Sequence, residues 1–415
     1  MWYMHSHYEA SGAHLMLHPL PPFPSASRPS LSLLHSLGWY VRDALRLEQL
    51  LNAVTVKRRR NLARPIKRRK SAFRDPMICL DFLAMAWLGA TRLSQIDPHL
   101  RSRDDLAEIL GLRRFCDHTT AHNFLNAFHR THLRQLDEVN ARLLREHGSA
   151  THQRAPILDI DVAQRTVRRS GQRQDLLCRW AVAFCAGEAL AQSFRHRSQG
   201  WRPLVLDVLA QSRALMGCRP RLLRLAGTCI SSSLLSALLR QRLPFLTTVT
   251  WAWALAQRPT PRTARGWTSL SDDCRLLDLG AAPTRPGGRA SLRTLLVERP
   301  APAPGLRPQR LAIVTSLLSE AAPAIVRLSA STSRIRAFYG HPRWPLGDGK
   351  LPSSDPRGNA AYLRLCTIAM NVLRLFARHL GEEWTPARLH AQLRLIPWDS
   401  GPGAARAMRG GSRTH

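Results

Sequence analysis

The chain has 415 residues, enough for a sizeable core spread over two or three domains, and carries 61 Lys and Arg against 28 Asp and Glu, a formal charge of +33 with a pI near 11.6. So positive a field argues for a polyanionic partner, nucleic acid first, although only four of the cations are lysines and a GC-rich genome imposes the same bias towards Arg on any protein. Eight cysteines without a CxxC pair exclude a zinc ribbon and a disulfide framework, no apolar run approaches the roughly 20 residues of a membrane span, and no signal-peptide pattern opens the chain, so the expectation is a cytoplasmic protein.

Residues 1–42, with His5, His7, His14, His18 and the run Pro19-Leu20-Pro21-Pro22-Phe23-Pro24, read as a disordered tail. From Asp43 to Val54 the residues Leu45, Leu47, Leu50, Leu51 and Val54 recur at helical spacing. Two basic runs follow, Lys57-Arg58-Arg59-Arg60 and Lys67-Arg68-Arg69-Lys70. As an arm they would neutralise several phosphates and make binding steeply salt-dependent; a solvated linker has the same composition. Asp75-Pro76 is an N-cap with proline in the first turn, and it predicts a helix through Met77, Leu80, Leu83, Ala84 and Leu88 that stops near Gly89.

Further helices are predicted over Asp104–Leu110, ending at Gly111, and over Thr119–Phe128 behind Asp117, before a longer amphipathic one through Leu133, Leu136, Val139 and Leu143. Two short helices and a long one suit an all-helical DNA-binding domain of helix-turn-helix type over residues 43–150; a plain helical bundle fits the same pattern.

Ile157-Leu-Asp-Ile-Asp161 is short, β-branched and apolar, as expected of a strand buried on both faces. A period of two sets Asp159 and Asp161 on one face, about 7 Å apart, where they pair for a divalent cation or merely cap loops. Strands over Leu177–Cys185 and Ala189–Arg195 form a hairpin turned at Gly187-Glu188. A helix over Trp201–Met216, a strand over Arg221–Ala226, a helix over Ser231–Arg242 and a strand over Pro244–Val249 complete the order βββαβαβ. That is the order of a ribonuclease H-like mixed sheet with flanking helices.

Residues 251–305, with Trp251, Trp253, Trp267 and strand-like runs Arg275–Leu279 and Ser291–Val297, read as a β-rich insertion. The tryptophans suit a small core or stacking on bases. Residues 306–385 return to the main domain begun at 151–250, with a strand over Arg310–Ser316 and helices over Ala321–Tyr339 and Asn359–Leu380. Residues 386–415 read as a C-terminal tail.

From roughly Leu45 to Leu380 the chain resembles bacterial insertion-sequence transposases of the DDE type. Asp161, Ala163 and Gly171-Gln172 take the places of that family's first acidic motif. Leu106–Phe128 resembles its N-terminal helices, and Asn371-Val372-Leu373-Arg374 resembles the run on its closing helix. The resemblance implies three carboxylates holding Mg²⁺ (or Mn²⁺) for two-metal phosphoryl transfer, with Asp161 as catalytic ligand and Asp159 beside it. It implies double-stranded transposon-end DNA as partner, no membrane, room for a homodimer on paired ends, and a place at the bacterial nucleoid. Lys57, Arg58, Arg59, Arg60, Lys67, Arg68, Arg69, Lys70 and Arg343 are the expected DNA contacts.

The match fails at two acids. The second motif reads Arg224-Leu225-Ala226-Gly227, with Ala226 at the carboxylate, and the third places Ser329, Thr332, Arg336 and Arg343 at its four positions. An alanine ligates no metal, and an arginine repels one. Either Asp207, Glu298 or Glu320 supplies the missing oxygens, or the chain is a decayed copy that needs no cofactor: a DNA-binding or regulatory remnant, or a translated pseudogene product.

Overall fold

The computed structural model describes residues 29–56, 73–90, 92–167, 176–196, 200–226, 229–256, 266–271, 274–283, 291–299, 301, 308–329 and 351–396. Helices come first: α1 (Pro29–Trp39), a π-helical turn (Tyr40–Ala44), α2 (Leu47–Leu51), α3 (Asp75–Leu88), α4 (Ile96–His99), α5 (Asp104–Ile109), α6 (His118–Asn126) and α7 (Arg130–His147). The ends of α3 and α6 follow from local chemistry. Pro76 sits in the first turn of α3, and Gly89 ends it at φ +82°, a conformation that a Cβ disfavours. Asp117 caps α6 by accepting the Thr120 N–H at 2.8 Å.

Residues 29–42 correct the expectation of a disordered tail. Leu33, Leu34, Leu37, Tyr40 and Val41 are buried, and the Tyr40 ring lies 5.3 Å from that of Phe376. Their i, i+3, i+4 spacing buries one face of α1, and the proline-rich stretch before it masks that period.

The rest of the chain builds one mixed sheet: β1 (Ile157–Val167), β2 (Leu176–Cys185), β3 (Glu188–His196), β4 (Leu222–Leu225), β5 (Phe245–Val249), β6 (Thr268–Ser271), β7 (Cys274–Pro283), β8 (Ser291–Arg299) and β9 (Gln309–Thr315). Between and after them lie α8 (Trp201–Met216), α9 (Ser232–Arg240), α10 (Trp251–Ala256), α11 (Ala322–Ser329), α12 (Pro356–Leu380) and α13 (Pro386–Leu393). The class is mixed α/β, and the strand order is β3-β2-β1-β4-β5-β9-β8-β7-β6. β1, β4 and β5 run parallel; every other pairing is antiparallel. The strands of 251–305 therefore continue the main sheet outward from β9. β8 meets β9 across a short connection, and the distant step is the return of β9 to β5, a pairing that leaves no local trace, which is why the insertion reads as a unit of its own.

One face of the sheet, with Leu158, Ile160, Val162, Leu223 and Leu225, packs under α8 and α9. On the other face Trp180, Val182 and Phe184 meet α12, while Leu222, Leu246 and Ile313 meet Ile325 of α11. α12 is long and apolar enough to cross a membrane, yet its most apolar stretch is 94% buried against protein. It touches α3, α6, α7, α13 and β3, and shares a single hydrophobic core with α1–α7. The boundary expected at residue 150 thus divides segments that bury one another. α13 corrects the C-terminal tail in part: Thr385 caps it by accepting the Arg388 N–H at 3.1 Å, and Leu389 and Leu393 are buried. Residues 397–415 lie outside the described residues.

Candidate functional site

Parallel pairing of β1 with β4 builds the site. Asp159 stands opposite Arg224 and Ile160 opposite Leu225, and the Ala226 N–H donates to the Ile160 carbonyl at 2.9 Å. One further step in the same register sets Ala226 beside Asp161. Across the β1–β2 ladder Asp159 pairs with Phe184 and Asp161 with Val182, both on the α12 side, so the two carboxylates share a face as their spacing predicts.

Asp159 is 8% exposed and Asp161 6%. Both Asp159 oxygens accept from Arg224: Nε donates to Oδ1, and Nη2 to Oδ2 at 2.8 Å. The same guanidinium donates through Nη1 to the Leu328 carbonyl in the last turn of α11, at 3.2 Å. Asp161 Oδ1 accepts the Val162 N–H at 2.8 Å. Cys229 lies close by, its thiol donating to the Ala226 carbonyl at 2.9 Å; burial first, and then the Asp161 charge, push it up to about 12. It is therefore a neutral thiol at physiological pH.

Two of the alternative acids have their carboxylates engaged elsewhere, and the third lies before α11. Asp207, on α8 and so across the sheet from Asp161, accepts from the Ser193 hydroxyl at 2.5 Å. Glu298 on β8 is clasped by Arg275 and Arg310, the latter at 2.7 Å, four strand positions from β1. The Glu320 backbone carbonyl accepts from Arg293, and that residue lies before α11. Among the described residues no group of three or more His, Cys, Asp or Glu side chains is placed to hold a metal ion. Ser329 ends α11, with its hydroxyl bonded to the Val326 carbonyl at 2.8 Å. Gly171-Gln172, Thr332, Arg336, Arg343 and the whole arm from Lys57 to Lys70 lie outside the described residues.

The Asn371–Arg374 run has a defined place away from these carboxylates. Asn371 Oδ1 accepts the Ala189 N–H at 2.9 Å, and its Nδ2 donates to the Ala189 carbonyl at 2.9 Å and to Asn140 Oδ1 at 2.8 Å. Next to it Glu188, 1% exposed, accepts from the Ser149 N–H and hydroxyl, the Ala150 N–H and Arg378 at 2.9–3.0 Å. These bonds fix α12 and α7 to the first residues of β3. Arg374 reaches round the Ala186-Gly187 turn, donating to the Ala186 carbonyl at 3.2 Å.

Trp251 and Trp267 stack on each other, ring centroids 6.0 Å apart. Arg310 lies over the first ring and Arg275 over the second, both also held by Glu298. The stack is closed by the protein's own side chains and ties α10 and the start of β6 to β7 and β9. A cleft of about 1310 Å³ opens instead between α7, β3, α8 and the start of α12. Arg130, Arg134 and Arg195 line it, together with Asp137, Asp207 and Arg364, and neither Asp159 nor Asp161 does.

Sequence reasoning missed the role of Arg224. Its signal was present, a lone charge in the buried run Leu222-Leu223-Arg224-Leu225, but the partner depends on strand register. No family model and no curated protein matches this chain. Among solved structures, the catalytic domain of human endonuclease V matches over 51% of this chain and 99% of its own length, at 14% identity and a TM-score of 0.19, an overlap too slight to carry an argument.

Proposed function

We propose that this protein is a DNA-binding, non-catalytic relative of insertion-sequence transposases, with a ribonuclease H-like arrangement of β1–β5 and α8–α9. The order β3-β2-β1-β4-β5, antiparallel then parallel, with helices after β3 and β4, supports the fold reading. The formal charge of +33 supports a nucleic-acid partner. The observation that carries the loss of chemistry is the register itself: Ala226, not a carboxylate, follows β4 next to Asp161, and Arg224 occupies both oxygens of Asp159.

A pair of Mg²⁺ ions needs several charged oxygens converging on each metal. The residues present do not fit that pair, so no cleavage or strand-transfer step is derived through it. What remains is end binding, by the basic arm Lys57–Lys70 and the helices before β1, with competition against an active transposase as its consequence.

The test is an assay on duplex DNA carrying the ends that flank the gene, with Mg²⁺ and then Mn²⁺. Binding without nicking is the expected result, and alanine at Lys57, Arg58, Arg59 and Arg60 should weaken it alike on all sequences and flatten its salt dependence. Metal-dependent nicking that disappears in Asp161→Ala would overturn the reading.

A further inference from the structure

Three elements meet at Arg224: β1 through Asp159, its own strand β4, and the last turn of α11 through the Leu328 carbonyl. The planar guanidinium suits this junction, because two of its donors match a carboxylate while a third points elsewhere. A carbonyl in the last turn of a helix carries partial negative charge, so the cation is favoured there as well. The pair is mostly shielded, with side-chain exposures of 17% for Arg224 and 11% for Asp159. Removing Arg224 would take from Asp159, a buried carboxylate, the charge that holds both its oxygens, which is destabilising.

We propose that Arg224 is the resident cation of this site, joining by one side chain the elements that a metal-dependent relative would join through metal ions. The inference rests on the reading that no metal pair operates here. Its content is that folding around Asp159 is independent of divalent cations, and that the fixed positive charge keeps them out. Ala226 fits this arrangement: a carboxylate there would add a third negative charge beside Asp161 that a single guanidinium, already bonded to Asp159, does not neutralise.

The experiment uses the full chain. Thermal melting is followed in EDTA and in millimolar Mn²⁺, and bound Mn²⁺ is measured by loss of the free-ion electron paramagnetic resonance signal. The wild type should melt at the same temperature in both and bind no Mn²⁺. Arg224→Gln should melt about 5 °C or more lower in EDTA, recover part of that loss in Mn²⁺, and acquire bound Mn²⁺. The double variant Asp159→Asn, Arg224→Gln removes both charges. It should melt above the single Arg224→Gln variant and bind no Mn²⁺, which keeps the proposal testable if the single variant does not fold.

Equal melting of wild type and Arg224→Gln in EDTA would overturn the assignment, and so would a double variant no more stable than the single. Mn²⁺ binding by the wild type that is lost in Asp161→Asn would overturn the exclusion of cations. Nicking of DNA in the assay above would sink the non-catalytic reading by a different measurement, so the two failures are told apart.

Discussion

The junction of α12 with β3 and the junction of β1 with β4 use the same chemical groups to different ends. At the first, Glu188, Asn140, Asn371 and Arg378 are matched donor to acceptor, in part by backbone groups. At the second, one carboxylate is held by an arginine, another accepts the Val162 N–H, and an alanine stands at the next strand end. Holding α12 takes a whole network, whereas the strand-end site rests on fewer contacts. A small residue at the end of β4, such as Ala226, therefore leaves the architecture standing, while a change in the network or in the Arg224–Asp159 pair does not.

The largest effect expected from this contrast is at Glu188. Glu188→Ala leaves the Arg378 guanidinium and the Ser149 and Ala150 N–H groups without their acceptor and should cost about 3–5 kcal/mol in chemical denaturation. A loss under about 1 kcal/mol would erase the distinction between the two junctions.

An intermediate effect is expected at Asp81, the misfit in the helical core. It is 2% exposed, accepts the Cys116 N–H at 3.1 Å through Oδ2, and leaves Oδ1 buried without a partner. Burial raises its carboxyl from 3.8 to about 7, against the opposing effect of the Cys116 bonds. The folded state then holds a proton on Asp81 that the unfolded state releases, so the contribution of this group to stability is greatest in acid and falls as pH rises from about 4 to about 7. Over that window the decline amounts to a few kcal/mol, and Asp81→Asn should flatten it and raise the melting temperature above pH 7. A melting curve unchanged by the substitution at both pH 5 and pH 8 would mean that the group is neutralised in another way.

The smallest effect belongs to the strand-end site. Ala226→Ser adds one half-buried hydroxyl and should shift stability by less than about 1 kcal/mol in the same denaturation experiment. A large loss would show that this end of β4 is as closely specified as the α12 junction.

How far the sequence revealed the fold depended on whether a feature was local. Asp75-Pro76 and Gly89 marked both ends of α3, and the span Trp201–Met216 needed no adjustment, because caps, proline and helical period are read within a few residues. α1 was hidden behind the proline-rich stretch, although its leucines have a helical period. α13 was hidden by its brevity, although Thr385-Pro386 signals its start. The pairing of β5 with β9, the Arg224–Asp159 pair and the Glu188 network all depend on contacts between distant segments. At the site, the shared face of Asp159 and Asp161 was legible from alternation alone, whereas the arginine between strand and helix was not.

The burial of α12 among helices from the start of the chain has a consequence for synthesis. A ribosome adding about 5–20 residues per second leaves His147 behind for roughly 10–50 s before Leu380 is made. For that interval Tyr40, Phe82 and Phe124 have no α12 to close over them. The hydrophobic core of the N-terminal helices thus closes only after the segment through Leu380 has been made.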